Sequence, residues 1–150
     1  MVNHGLFTSI KDSWTTPRTT FDDLNREFQF TLDAAALQMS TLVPDNWYGP
    51  DHPEPSRQDA LTRNWLDDSR GGRVWLNPPY GRAIKTFMAK ADQESKSGLT
   101  IVCLVPSRTD TQWWWDSVIH HEVRFIKGRL KFGNQTNSAP FPSAIVVMNG

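Results

Sequence analysis

The sequence has a single cysteine, no excess of either charge, and no apolar run near the ~20 residues that a membrane span requires. Each shortage removes a class of function. Cys103 alone cannot form an intramolecular disulfide, which fits a reducing compartment. It lies between Val102 and Leu104 in an apolar run, a place for a core residue and not for a nucleophile. Sixteen basic residues balance sixteen acidic ones, so the chain is not a basic coat for nucleic acid. Any contact with DNA must come from a local patch. The four histidines, His4, His52, His120 and His121, show no metal-ligand spacing, and His120-His121 read as a favourable helix ending. No metal is expected. Met1–Ile10 carries no secretory signal, so the expected location is cytoplasmic.

Aromatic rings, by contrast, are plentiful. Seven tryptophans include the run Trp113-Trp114-Trp115, which cannot all face one core, so at least one is expected at the surface or at a site. The most informative stretch is Arg73-Val74-Trp75-Leu76-Asn77-Pro78-Pro79-Tyr80-Gly81. Val74–Leu76 reads as a short buried strand, and two prolines that cannot continue a ladder stop it at Asn77. A rigid turn at the carboxyl end of a strand is where open α/β sheets bind ligands. Here the Asn77 side chain and the Pro78 carbonyl offer two fixed acceptors for the two hydrogens of an aromatic amine. Tyr80 offers a ring to stack on it, or else packs as cover for the core.

The remaining chain reads as alternating elements. Thr16 and Pro17 open a helix over 17–27, with Phe21, Leu24 and Phe28 at helical spacing. Residues 28–33 alternate as a strand ending at Asp33, followed by Ala34-Ala35-Ala36. Asp33 suits a polar contact to a cofactor and equally a cap on the next turn. Leu42–Tyr48 is a short strand or an extended segment, and 49–56 is a loop by composition, the segment expected to move most. Ile84, Phe87, Met88 and Ala91 mark a helix face that Gly98 ends. Leu99–Val105 is a buried strand, and Thr109 or Asp110 caps a helix to about His120. Val123–Lys127, Arg129–Phe132 and Ser143–Met148 read as strands, the last two joined by the 133–142 loop. The expected architecture is a single α/β domain over 1–150, its sheet mostly parallel with an antiparallel carboxyl-terminal hairpin.

In that order the pieces resemble the small phage-type, Dam-like DNA N6-adenine methyltransferases over roughly Trp14 to Met148. Trp14-Thr15-Thr16-Pro17 looks like the motif lining the methionine end of S-adenosylmethionine. Phe30–Ala36 resembles the family's first strand and cofactor loop, and Asp59-Ala60-Leu61 the segment that meets the cofactor's adenine. Asn77-Pro78-Pro79-Tyr80 matches the catalytic motif, and Arg129–Phe132 through Ala139–Ala144 the terminal hairpin. The glycine-rich loop of methyltransferases at large is replaced by Ala34-Ala35-Ala36, as suits this small family.

The resemblance implies a Rossmann-like class I methyltransferase fold, with S-adenosylmethionine as cofactor and double-stranded DNA as partner. An adenine flipped out of the duplex would be clamped by Asn77 and Pro78 beside Pro79, and stacked by Tyr80. Its opposite face falls to Phe132, which reads equally well as a core residue. Arg82, Arg108, Arg129 and Lys131 lie near the ligand edge or the hairpin, as phosphate contacts or as ordinary solvated surface. The cofactor falls to Trp14, Thr15, Thr16, Pro17, Asp33, Ala34, Asp59, Ala60, Leu61 and Asn77. No separate target-recognition domain is expected. The same fold and cofactor acting on an RNA base or a protein glutamine is the second expectation. A degenerate enzyme kept as a binding module is the third.

Overall fold

The computed structural model describes residues 14–150. The chain enters helix α1 (Arg18–Phe28) one residue later than the sequence suggests. Pro17 takes the cap position without a side-chain bond, because the Thr16 hydroxyl is committed elsewhere: it accepts from Asn77 Nδ2 at 3.0 Å. Gln29 ends the helix in the left-handed conformation, and Asn25 Oδ1 accepts the Phe30 N–H, turning the chain into the sheet. That early turn shortens the first strand. Only β1 (Leu32–Asp33) forms a ladder, because Phe28 completes the helix instead.

Four more strands follow: β2 (Arg73–Leu76), β3 (Thr100–Pro106), β4 (Glu122–Phe125) and β5 (Ser143–Asn149). The sheet order is β1-β2-β3-β5-β4. β1, β2 and β3 are parallel, and β5 is antiparallel to both of its neighbours. The sheet is thus mixed α/β, with the antiparallel strand inserted between β3 and β4. This corrects the expected hairpin of 129–132 with 143–148. β5 has β3 on one edge and β4 on the other, so no edge remains for a strand at 129–132. That stretch runs outside the sheet, held by Ala139 N–H on the Leu130 carbonyl. The segment at 42–48 adds a single bridge, Trp47 to Asp33, on the free side of β1.

α2 (Trp65–Asp68) is capped by the Asn64 side chain, and α3 (Ile84–Ser95) buries the expected face of Ile84, Phe87, Met88 and Ala91. α4 (Gln112–Ser117) is shorter than its sequence pattern, opening after Thr111 rather than at Thr109 or Asp110. The tryptophan run divides as its length requires: Trp113 and Trp114 are buried and Trp115 is 59% exposed. Phe21 of α1 meets Trp75 edge-on at 5.5 Å, tying the helix to the middle of the sheet.

The 49–57 loop is organised around buried polar groups. Asn46 donates to the Thr31 and Asp68 carbonyls and accepts from Arg57, while Asp68 accepts from Tyr48 and, through two oxygens, from Arg63. These bonds satisfy chain that has no ladder of its own. Gly49 lies so close to β1's extension that an added Cβ would sit 1.8 Å from the Ala36 carbonyl oxygen. Gly49→Ala should therefore destabilise the fold by about 2 kcal/mol or more, read as a lower urea midpoint with an unchanged slope.

Candidate functional site

β1 and β2 run side by side with Asp33 paired to Trp75, so their carboxyl ends finish together. Just beyond those ends lies a cleft lined by Trp14, Thr15, Thr16, Asp33, Ala35, Ala36, Leu37, Ser40, Leu42, Trp75 and Asn77–Pro79. It spans about 420 Å³ with its open mouth, but its depth has room for only about 30 Å³, one or two waters. Two of its lining residues carry a buried acceptor without a hydrogen-bond partner among the described residues: Asn77 Oδ1 and Asp33 Oδ1. Unpaired buried acceptors are costly, and two facing one cleft mark a place for a donor-bearing ligand.

The Asn77 amide is fixed from its other side. Its nitrogen donates to the Trp14 carbonyl and the Thr16 hydroxyl. A carbonyl only accepts, so the nitrogen must face Trp14, and Oδ1 is the atom left for the cleft. The segment 14–16 is in turn anchored to the loop at 133–134: Gly133 N–H donates to the Thr15 carbonyl, and Thr15 N–H to Asn134 Oδ1.

The Asp33 carboxylate is 3% exposed. Oδ2 accepts from Leu42 N–H at 3.0 Å and the Thr41 hydroxyl at 3.3 Å. Burial pushes its pKa up to about 7, opposed by the Leu42 N–H, the nearby Ala35 N–H and the Thr41 hydroxyl. The Ala35 N–H lies close enough to act on the charge without making a well-aligned bond to Oδ1.

Tyr80 is placed differently from a free stacking platform. Its ring is 3% exposed, its hydroxyl donates to the Leu104 carbonyl at 3.2 Å, and burial raises the phenol above its usual range. The Trp14 ring lies nearly parallel to it at 6.2 Å, and Phe132 and Phe141 meet it edge-on at 6.2 and 5.7 Å. Phe132 is fully buried and perpendicular to Tyr80, so no slot for a base lies between those two rings in this conformation. Phe141 was not singled out in sequence, and nothing but its place in the Ala139–Ala144 segment points to it.

Other expected residues fall around this centre unevenly. Pro17 caps α1 just outside the cleft, and Ala34 is buried in the ladder, its N–H on the Trp75 carbonyl. Asp59, Ala60 and Leu61 do not line the cleft. Asp59 caps a short 3₁₀ turn by accepting the Leu61 N–H, and the Ala60 carbonyl accepts the Trp65 indole. Arg82, Arg108, Arg129 and Lys131 are exposed and make no ion pair among the described residues. Arg108 lies 5.9 Å over the Phe141 ring.

Comparison with known proteins decides what kind of chain builds this cleft. The family described as DNA N-6-adenine-methyltransferase (Dam) matches residues 5–148, which is nearly all of it. The chain belongs to the Dam family. A DNA N-6-adenine-methyltransferase of Escherichia phage T1 is 29% identical over 110 residues, covering 73% of this chain and 42% of that protein. This Dam-family chain therefore spans less than half of that relative's length.

Asp33 links the cleft to pH. Its folded pKa lies above the unfolded value, so the native state holds the extra proton between about pH 4 and 7. Its contribution to stability is complete below pH 4 and is lost as pH rises through about 7. A cationic ligand at Oδ1 favours the ionised form, so its binding releases a proton and tightens as pH rises from 6 to 8. Titration calorimetry across that range with S-adenosylmethionine, the cationic ligand that the resemblance in sequence implies, should show this trend, and Asp33→Asn should bind more weakly with a flat pH profile.

Proposed function

We propose that this chain transfers a methyl group from S-adenosylmethionine to the N6 amine of adenine in DNA, within a Rossmann-like class I methyltransferase fold. One observation carries the reading: Asn77 lines a cleft at the carboxyl ends of two parallel strands, and its Oδ1 is buried without a hydrogen-bond partner among the described residues. Family membership and the phage T1 relative support adenine in DNA as the substrate.

The donor set fits the amino-acid end of the cofactor. Asp33 Oδ1 would accept from its ammonium group, and Thr15 and Thr16 border the same space. In this conformation the depth of the cleft is too narrow for the whole molecule. When bound, S-adenosylmethionine supplies an electrophilic sulfonium methyl group.

The protein's task is to make a poor nucleophile usable. The lone pair of an adenine amine is delocalised into the ring. Asn77 Oδ1 and the Pro78 carbonyl accept its two hydrogens, draw the nitrogen toward tetrahedral geometry and aim the lone pair. Pro79 stiffens the turn that sets these two acceptors. Catalysis is thus by orientation and fixed dipoles, with no covalent enzyme intermediate. Cys103, fully buried with its thiol pKa pushed up by burial, takes no part.

Base flipping needs one motion. The Trp14 ring covers the face of Tyr80, so a flipped adenine either stacks on Trp14 or displaces it. The exposed Arg82, Arg108, Arg129 and Lys131 supply cations for the flanking phosphates. Target recognition falls to the loops around 49–57, 108–115 and 133–142.

Two measurements test this. Asn77→Ala should lower labelled methyl transfer to adenine-containing DNA by about a hundredfold or more, while binding of S-adenosylmethionine largely persists. Parallel transfer assays on RNA and protein distinguish the other substrates, and full DNA activity in the variant would sink the mechanism. Arg108→Ala should weaken DNA binding evenly across sequences and make the salt dependence shallower by about one unit of log–log slope.

A further inference from the structure

Far from the cleft, the structure assembles a cluster that the spacing of histidines alone does not reveal. Asp92 lies in the last turn of α3, and His120-His121 sit in the turn between α4 and β4. α3 ends just before β3 begins, and His121 immediately precedes β4. The cluster therefore lies at the amino-terminal ends of the parallel strands, at the opposite edge of the sheet from Asn77. Both imidazoles turn their Nε2 atoms onto one oxygen, Asp92 Oδ1, at 2.8 Å for His120 and 2.7 Å for His121. The two rings lie 4.3 Å apart, and the three ligand atoms all fall within 4.8 Å of one another.

We propose that Asp92, His120 and His121 form a binding site for one first-row divalent cation of the zinc type. The donor set selects the metal. Two imidazoles and one carboxylate suit borderline ions such as Zn²⁺ or Co²⁺, and not Mg²⁺ or Ca²⁺, which prefer oxygen alone. The geometry is close to what such an ion needs. Ligand atoms about 2.05 Å from a tetrahedral ion stand about 3.4 Å apart, so the two histidines need to retreat by only about 0.6 Å. Each imidazole would meet the ion through an unprotonated Nε2.

Burial and charge favour this placement. His121 and Asp92 side chains are 10% and 16% exposed, which holds two ligands in fixed positions. His120 is 49% exposed and leaves one side open for a water to complete the shell. Asp92 contributes the carboxylate of the donor set, facing both rings. A bound ion would join residue 92 to residues 120–121, fastening α3 to the turn that leads into β4. The site depends on neither the cofactor nor the methyl transfer.

The test uses the whole chain, stripped with a chelator and titrated calorimetrically with Zn²⁺ alone. The expected result is one ion per chain, a thermal midpoint raised by about 5 °C at a hundredfold excess over Kd, and no response to Mg²⁺. Co²⁺ should develop the visible absorption of a low-coordinate site. Asp92→Asn and His121→Gln should each weaken Zn²⁺ at least tenfold and remove the Co²⁺ band, as should His120→Ala at the half-exposed position, where folding is least at risk. His52→Gln, outside the cluster, should bind as the parent does. No saturable binding, unchanged affinity in folded Asp92 and His120 variants, or loss of affinity in His52→Gln would each overturn the assignment.

Discussion

The candidate site depends on the two hydrogens of one amide. Asn77 Nδ2 gives them to the Trp14 carbonyl and the Thr16 hydroxyl, and this fixes which way its oxygen faces. Were the side chain turned over, its oxygen would meet another carbonyl and gain nothing. The same pair of bonds fastens the segment before α1 across the end of β2. That segment holds in turn to the loop at 133–134, so three stretches far apart in sequence are joined at one side chain. Both the open acceptor and the Trp14 ring over Tyr80 follow from this arrangement.

The parallel register supplies the rest. With Asp33 opposite Trp75, the carboxylate emerges from the sheet beside the strand that ends in Asn77. Burial and the absence of a cation among its bonded partners leave Asp33 near the midpoint of its titration in neutral solution. A carboxylate in that state is held in reserve. It is costly alone and becomes favourable when a positive group arrives. Asp33 and Asn77 thus differ in kind, one responding to charge and the other to hydrogen-bond donors.

Much of this was legible in the residues. The buried face of α3, the apolar β3 and the stop at Asn77 all rest on local rules, periodicity and proline, and they came out as read. The terminal hairpin did not. Residues 129–132 have strand-like composition, but whether a segment pairs depends on a free edge, and β4 and β3 had taken both edges of β5. Thr16 likewise has the chemistry of a helix cap, and only the fold brings Asn77 within its reach. The Asp92 cluster shows the same limit, since 28 residues of chain separate its members. Local pattern names the groups with chemistry to offer, whereas long-range pairing decides which partner each one meets.

The inserted strand also shapes how the molecule is made. β4 is paired with β5 alone, and β5 fills the second edge of β3. Until residues 143–149 arrive, β3 presents a strand apolar from Ile101 onward with one open edge, and β4 has no strand to pair with. Those are the features that invite pairing with the wrong chain. The sheet is therefore completed from its middle by the last strand in sequence, a distant contact that must wait for synthesis to bring it. A ribosome paused before residue 143 would leave the cleft-bearing ends of β1 and β2 carried on a sheet that is still unfinished and adhesive.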